Sequence, residues 1–378
     1  MANIKIIKLA KNMNMQSTIK VPLVPSIIKC FKLTFTDLEI DTMLKLKPNY
    51  RYQRNELSFI DEKLFSSLLN KGGIWFKKLQ YNEYYELAPI FPGWIEVFLS
   101  APLDDLRLEV MNEFAKFDEF LKNVNIGPVR ALMNHNALMK LQNSPAHMST
   151  AINNQKIINL NIPLEAQNEI ISKGEVTSIL KRNKEHLAVM NCFCRIMADL
   201  KKDPCRFNMN KRTCINVGGF ADAMVKYGIS EKITYDEAIT IIDDSSKKGA
   251  IHTVFHYNNN VNNDEIVICN CCSDCCTLYG LFNKGSISSI FVKAYYEPKI
   301  INQDKCVGCN LCQKYCPVNA TYYDKEQKKL IFNEKECIGC GQCVLKCNFN
   351  VRELIYNPRN VFVSTRSHKN KKYKSLVF

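Results

Sequence analysis

Apolar positions recur at helical spacing in two early stretches, Thr36 to Leu46 and Asp61 to Asn70, and the Gly72-Gly73 pair closes the second. Two short apolar-aromatic runs, Ile74 to Leu79 and Tyr84 to Leu87, flank the polar Gln80 to Glu83 and predict a hairpin. Helices followed by a two-stranded ribbon predict a winged-helix-like domain. Pro89, Pro92 and Gly93 then break the pattern. It resumes from Leu103 to Leu121, where Met111, Phe114, Phe117 and Leu121 form a stripe expected in a core. Thr234 and Glu237 have the spacing of a capping box that opens a helix reaching about Lys248, followed by the strand-like Ile251 to Tyr257.

Near the C-terminus the segment Lys305 to Cys316 returns as Glu336 to Cys347, 31 residues later. Between the copies, Ala320 to Tyr323 and Leu330 to Phe332 predict a second hairpin. The fold class expected is α+β and multidomain. Its parts are a basic flexible start at 1–29, the winged-helix-like domain at 30–95, a cysteine-rich middle domain of mixed α and β at 96–296, a ferredoxin-type domain of two pseudo-symmetric halves at 297–360, and a basic tail at 361–378.

Composition and charge narrow the classes. The chain of 378 residues is 46% hydrophobic and 23% charged, with no apolar run approaching the roughly 18 residues of a membrane span, so no transmembrane segment is expected. Of its +14 net charge, eleven come from residues 1–36 and 361–378, which contain no acid at all. The body between them is close to neutral, which argues against a nucleic-acid partner. The opening residues lack the h-region and cleavage site of a secretory signal, so a cytoplasmic location is expected, with an anaerobic organelle as the alternative.

Eighteen cysteines without a secretion signal read as metal ligands, because reducing compartments keep thiols free. Eight follow C-x2-C-x2-C-x3-C twice, the bacterial two-cluster spacing in which the fourth cysteine of each run serves the other cluster. That rule assigns Cys306, Cys309, Cys312 and Cys347 to one [4Fe–4S] cluster, and Cys337, Cys340, Cys343 and Cys316 to a second. Gly308 and Gly339 fall between the first two ligands of each run, where lack of a Cβ lets backbone N–H groups turn towards sulfur. Pro317 follows the first run as that pattern expects, whereas Asn348 follows the second.

Nine more cysteines lie at 192–276: Cys192, Cys194, Cys205, Cys214, Cys269, Cys271, Cys272, Cys275 and Cys276. They match no standard zinc or ferredoxin spacing. The readings are an additional Fe–S cluster, a zinc or redox-disulfide site, and inert burial. Of the histidines, only His252 and His256 are spaced to share a face, and a core role is expected for them ahead of metal binding.

Cys192 to Arg195, Cys205 to Cys214, Gly218 to Asp222, Glu237-Ala238 and Ile268 to Cys276 give most of the chain a resemblance to a poorly characterised family of anaerobe proteins, described only as 4Fe–4S binding or ferredoxin-like. Asp274 stands where some of these have another cysteine. The resemblance implies Fe–S ligation and supplies no substrate.

The function expected is single-electron transfer to or from a second cysteine-rich site, with a redox protein or redox-complex subunit as partner. The alternative is an oxidoreductase whose own corrinoid or Fe–S site is fed by the ferredoxin domain, although no flavin or dinucleotide fingerprint is present and no catalytic residue is named. A redox-sensing DNA-binding regulator ranks last, since the candidate recognition helix opens with Asp61, Glu62 and Lys63 and then offers little to neutralise phosphates.

Overall fold

The computed structural model describes residues 2–17, 21–79, 82–123, 146–149, 176–256, 265–277, 291–292, 294 and 296–357. The basic tail, Tyr257, His135 and His368 lie outside them. Helices α1 (Ala2–Gln16), α2 (Pro25–Thr34), α3 (Asp37–Met43) and α4 (Glu62–Asn70) precede the antiparallel pair β1 (Ile74–Leu79) and β2 (Asn82–Leu87), and then α5 (Ile95–Ser100) and α6 (Asp105–Asn123). The central elements are β3 (Ala146–Ser149), α7 (Val176–Arg182), β4 (Leu187–Asn191), α8 (Phe193–Leu200), β5 (Arg212–Val217), α9 (Gly218–Lys226), β6 (Glu231–Lys232) and α10 (Tyr235–Lys248). Strands β7 (Ile251–His256), β8 (Glu265–Cys271), β9 (Phe291–Val292) and β10 (Tyr296–Ile300) follow. The chain then runs through α11 (Leu311–Lys314), β11 (Thr321–Asp324), β12 (Lys329–Phe332), α12 (Gln342–Leu345) and β13 (Arg352–Tyr356). Helices with several small antiparallel pairings make the fold mixed α+β, as the sequence pattern implies.

Two compact units divide the chain, and neither is contiguous. The first comprises residues 1–124, 185–204 and 214–234, and the second comprises 125–184, 205–213 and 235–378.

In the first unit local signals set the helix ends. Thr36 caps α3 by accepting from the Glu39 N–H at 3.3 Å while Glu39 accepts from the Thr36 N–H at 2.8 Å, a closed capping box. Asp61 caps α4 through the Leu64 N–H. Gly72, at φ +69°, ends that helix, its N–H returning to the Leu69 carbonyl. The core gathers around Trp94, whose ring lies 4.2 Å from that of Phe31 and 5.8 Å from that of Phe35. Met111, Phe114 and Phe117 of α6 are buried, as their spacing predicts. Trp75 of β1 stacks on Phe220 of α9 at 5.5 Å.

The start of the chain departs from expectation. Residues 2–16, read as flexible because of their lysines, form α1, with Ile6, Leu9, Ala10 and Met13 buried along one face and Lys5, Lys8 and Lys11 exposed.

In the second unit β8, β7, β3 and β9 lie side by side, β3 antiparallel to β7 and parallel to β9. α7 and α10 pack together. The register pairs His252 of β7 with Asn270 of β8, so both side chains meet on one face. His252 is buried, its Nδ1 donating to Asn270 Oδ1 at 2.5 Å and its Nε2 lying 2.7 Å from Ser246 Oγ, while the Asn270 amide donates to the Thr213 carbonyl. Burial holds this imidazole down to about 4, neutral at ordinary pH. It is a core polar network, the role expected of that histidine.

Candidate metal centres

The 31-residue repeat is written into the backbone. Gly308 and Gly339, Asn310 and Gly341, and Asn319 and Asn350 are three pairs 31 positions apart, and all six residues have positive φ, between 51° and 78°. Helices α11 and α12 occupy the same places in the two copies, and β11 pairs with β12 between them, Thr321 opposite Phe332. β10 and β13 close the module as an antiparallel pair. At Gly308 a Cβ would come within 2.8 Å of the Tyr323 ring, so the turn demands glycine sterically as well as conformationally.

These turns aim backbone donors at sulfur. The Gly339 N–H donates to Cys337 Sγ at 3.3 Å, and the Ala320 N–H to Cys316 Sγ at 3.1 Å. Burial pushes the Cys340 thiol well up, and the next contribution is the charge of Cys316, ahead of Cys343 and Cys337. Cys343 is pushed up to about 12 by burial, with Cys337 and Cys316 both adding to it. The charge of Cys316 thus adds to the upward shifts of Cys340 and Cys343 in the other copy. Cys312, also raised by burial, feels Cys306 and Cys309 instead. Cys337, Cys340 and Cys343 are buried, Cys306, Cys312, Cys316 and Cys347 half-buried, and Cys309 exposed.

Thiols buried in a low-dielectric shell resist losing their protons unless positive charge arrives to balance them. A cationic iron–sulfur core supplies it, so the donor set fits such a group. The buried Arg352 guanidinium, which donates to Thr321 Oγ1, opposes the upward shifts at Cys312, Cys316 and Cys343.

The middle cysteines fall in both units. In the first unit Cys192, at the N-cap of α8, accepts from the Cys194 and Cys214 thiols. Those hydrogen bonds, with the charge of Arg195, hold it well below the usual thiol range. In the second unit Cys205, Cys272 and Cys275 converge, with all three sulfurs within 4.8 Å of one another. Cys272 and Cys276 are buried, as is Cys271, whereas Cys269 is half-buried. Cys30 is a buried lone thiol pushed up to about 12 by desolvation and plays no part in either group. Sequence spacing alone did not separate these groups, because Cys205 is 67 residues from Cys272.

Residues 298–348 match the family model of the 4Fe-4S dicluster domain. The chain is thus an iron–sulfur protein in which that domain makes up the C-terminal module. No curated protein and no solved structure matches the chain.

Proposed function

We propose that this protein is an electron-transfer protein whose C-terminal module holds two [4Fe–4S] clusters and exchanges single electrons between an external redox partner and the middle cysteines. Cys306, Cys309, Cys312 and Cys347 hold one cluster, and Cys337, Cys340, Cys343 and Cys316 the other. The observation that carries the reading is the repeated C-x2-C-x2-C-x3-C run inside the segment 298–348 that matches the 4Fe-4S dicluster domain, with the same positive-φ turns in both copies. When bound, the clusters supply one-electron redox chemistry.

The residues around them divide the labour. Cys309 is exposed and Val307 beside it is 61% exposed, an apolar edge at which a partner can approach the first ligand set. Cys337, Cys340 and Cys343 of the second set are buried away from water. Cys205 belongs to a loop whose Phe207 ring lies 5.7 Å from that of Tyr315, the neighbour of Cys316, so a middle cysteine group sits beside the module within the second unit. Helices α2 to α4 with the β1–β2 ribbon are read as a winged-helix-like contact element.

The test is acid-labile sulfide and EPR on anaerobically purified, dithionite-reduced protein. About eight sulfides per chain are expected, and Cys316→Ser should reproduce the spectral loss of Cys340→Ser, not that of Cys312→Ser. Four sulfides, or a Cys316→Ser spectrum that matches Cys312→Ser, would overturn the two-cluster crossed assignment.

A further inference from the structure

We propose that Cys205, Cys272 and Cys275 form a separate site for a single tetrahedral metal ion, zinc or ferrous iron, held by three thiolates. The geometry of this trio carries the site independently of the ferredoxin module. Cys205 Sγ lies 3.6 Å from Cys272 Sγ, and Cys272 Sγ lies 3.2 Å from Cys275 Sγ. One tetrahedral ion with metal–sulfur bonds of about 2.3 Å places its thiolates roughly 3.8 Å apart. In a four-iron cubane each thiolate takes a different corner and points outward, which spreads the sulfurs further. Among the described residues this is the one group of three metal-binding side chains drawn within 4.8 Å; the ferredoxin cysteines are not drawn together in this way.

The surrounding backbone is built for the trio. Cys272-Ser273-Asp274-Cys275 is a C-x2-C turn that leaves β8, and the Cys275 N–H donates to Cys272 Sγ at 3.3 Å, the bond that stabilises a thiolate in such a turn. Asp274 brings the distant third ligand in. Its carboxylate accepts the Arg206 N–H at 2.8 Å and its other oxygen is 3.5 Å from Arg206 Nε, tying the residue next to Cys205 onto the turn. Asp274 thus acts as a clamp and not as a ligand. Met209 and Ala250 are buried with Cys272, and Phe207 packs against them, which gives the site an apolar floor. Three protein thiolates leave one coordination position for a water or an exogenous ligand.

The experiment counts metal against sulfide in the full-length chain purified anaerobically. Cubanes contain iron and sulfide in equal number, so iron plus zinc should exceed acid-labile sulfide by one atom per chain. An excess of zinc identifies a fixed structural ion, and an excess of iron a redox-active one. The wild-type excess needs no variant to read. Cys272→Ser and Cys275→Ser should each abolish the excess while sulfide and the ferredoxin EPR signals stay unchanged, and Co²⁺ added to the metal-depleted trio should give intense thiolate-to-cobalt absorption. Iron equal to sulfide with no zinc would overturn the proposal, as would an excess that survives both substitutions. Loss of about four irons together with four sulfides in Cys272→Ser would place a cubane here and overturn the single-ion assignment. None of these outcomes depends on the crossed ligation of the C-terminal module, whose failure would show instead in total sulfide.

Discussion

Arg352 is a buried cation set among thiols that are each negative when they bind iron. A fixed positive charge there favours the more negative, reduced form of a neighbouring cluster. Arg352→Gln keeps a polar side chain but removes the charge, and it should lower the midpoint potential read by EPR-monitored titration. Unchanged potentials would confine Arg352 to supporting Thr321. His252 gives a different residue-scale outcome. The unfolded chain takes up a proton near pH 6.5, whereas the buried imidazole refuses it until about pH 4. Its contribution is therefore fully present above pH 6.5 and is lost as the pH falls through that window. Urea unfolding should show about 2 kcal/mol less stability at pH 5 than at pH 7 from this group, and His252→Gln should remove that part of the slope.

At the scale of elements, α1 is the part most misread from sequence. Its apolar residues, Ile6, Leu9, Ala10 and Met13, recur at helical intervals, but six acid-free lysines in the first 36 residues suggest a solvated segment. Lysines decorate the outer face of a packed helix as readily as they extend a loose one, so charge alone did not decide. Leu9 is fully buried, and Leu9→Ala should cost roughly 2–5 kcal/mol, while Lys8→Ala should change stability by less than about 0.5 kcal/mol in the same denaturation assay. Elements with local punctuation were legible: the helices opening near Thr36 and Asp61, the Gly72 stop and the hairpin of β11 and β12. The C-terminal cysteine runs were legible for the same reason, since each run is local and matches a 4Fe-4S dicluster domain. The grouping of the middle cysteines was not. Cys205 reaches Cys272 through a clamp between Arg206 and Asp274 that no local spacing encodes.

At the scale of the molecule, the chain passes from one unit to the other after residues 124, 184, 204, 213 and 234. Short segments such as 205–213 belong to a unit whose remaining parts come from distant sequence, so the contacts that complete each unit are non-local. The C-terminal module differs, since its strands, turns and eight cysteines all fall within 296–357. The two regions are therefore unequal as units of inheritance. A gene segment encoding 296–357 carries all eight cysteines of that module yet leaves behind the Ala250 carbonyl that the buried Gln342 amide holds, whereas cutting within 124–234 separates both interrupted units from part of their cores.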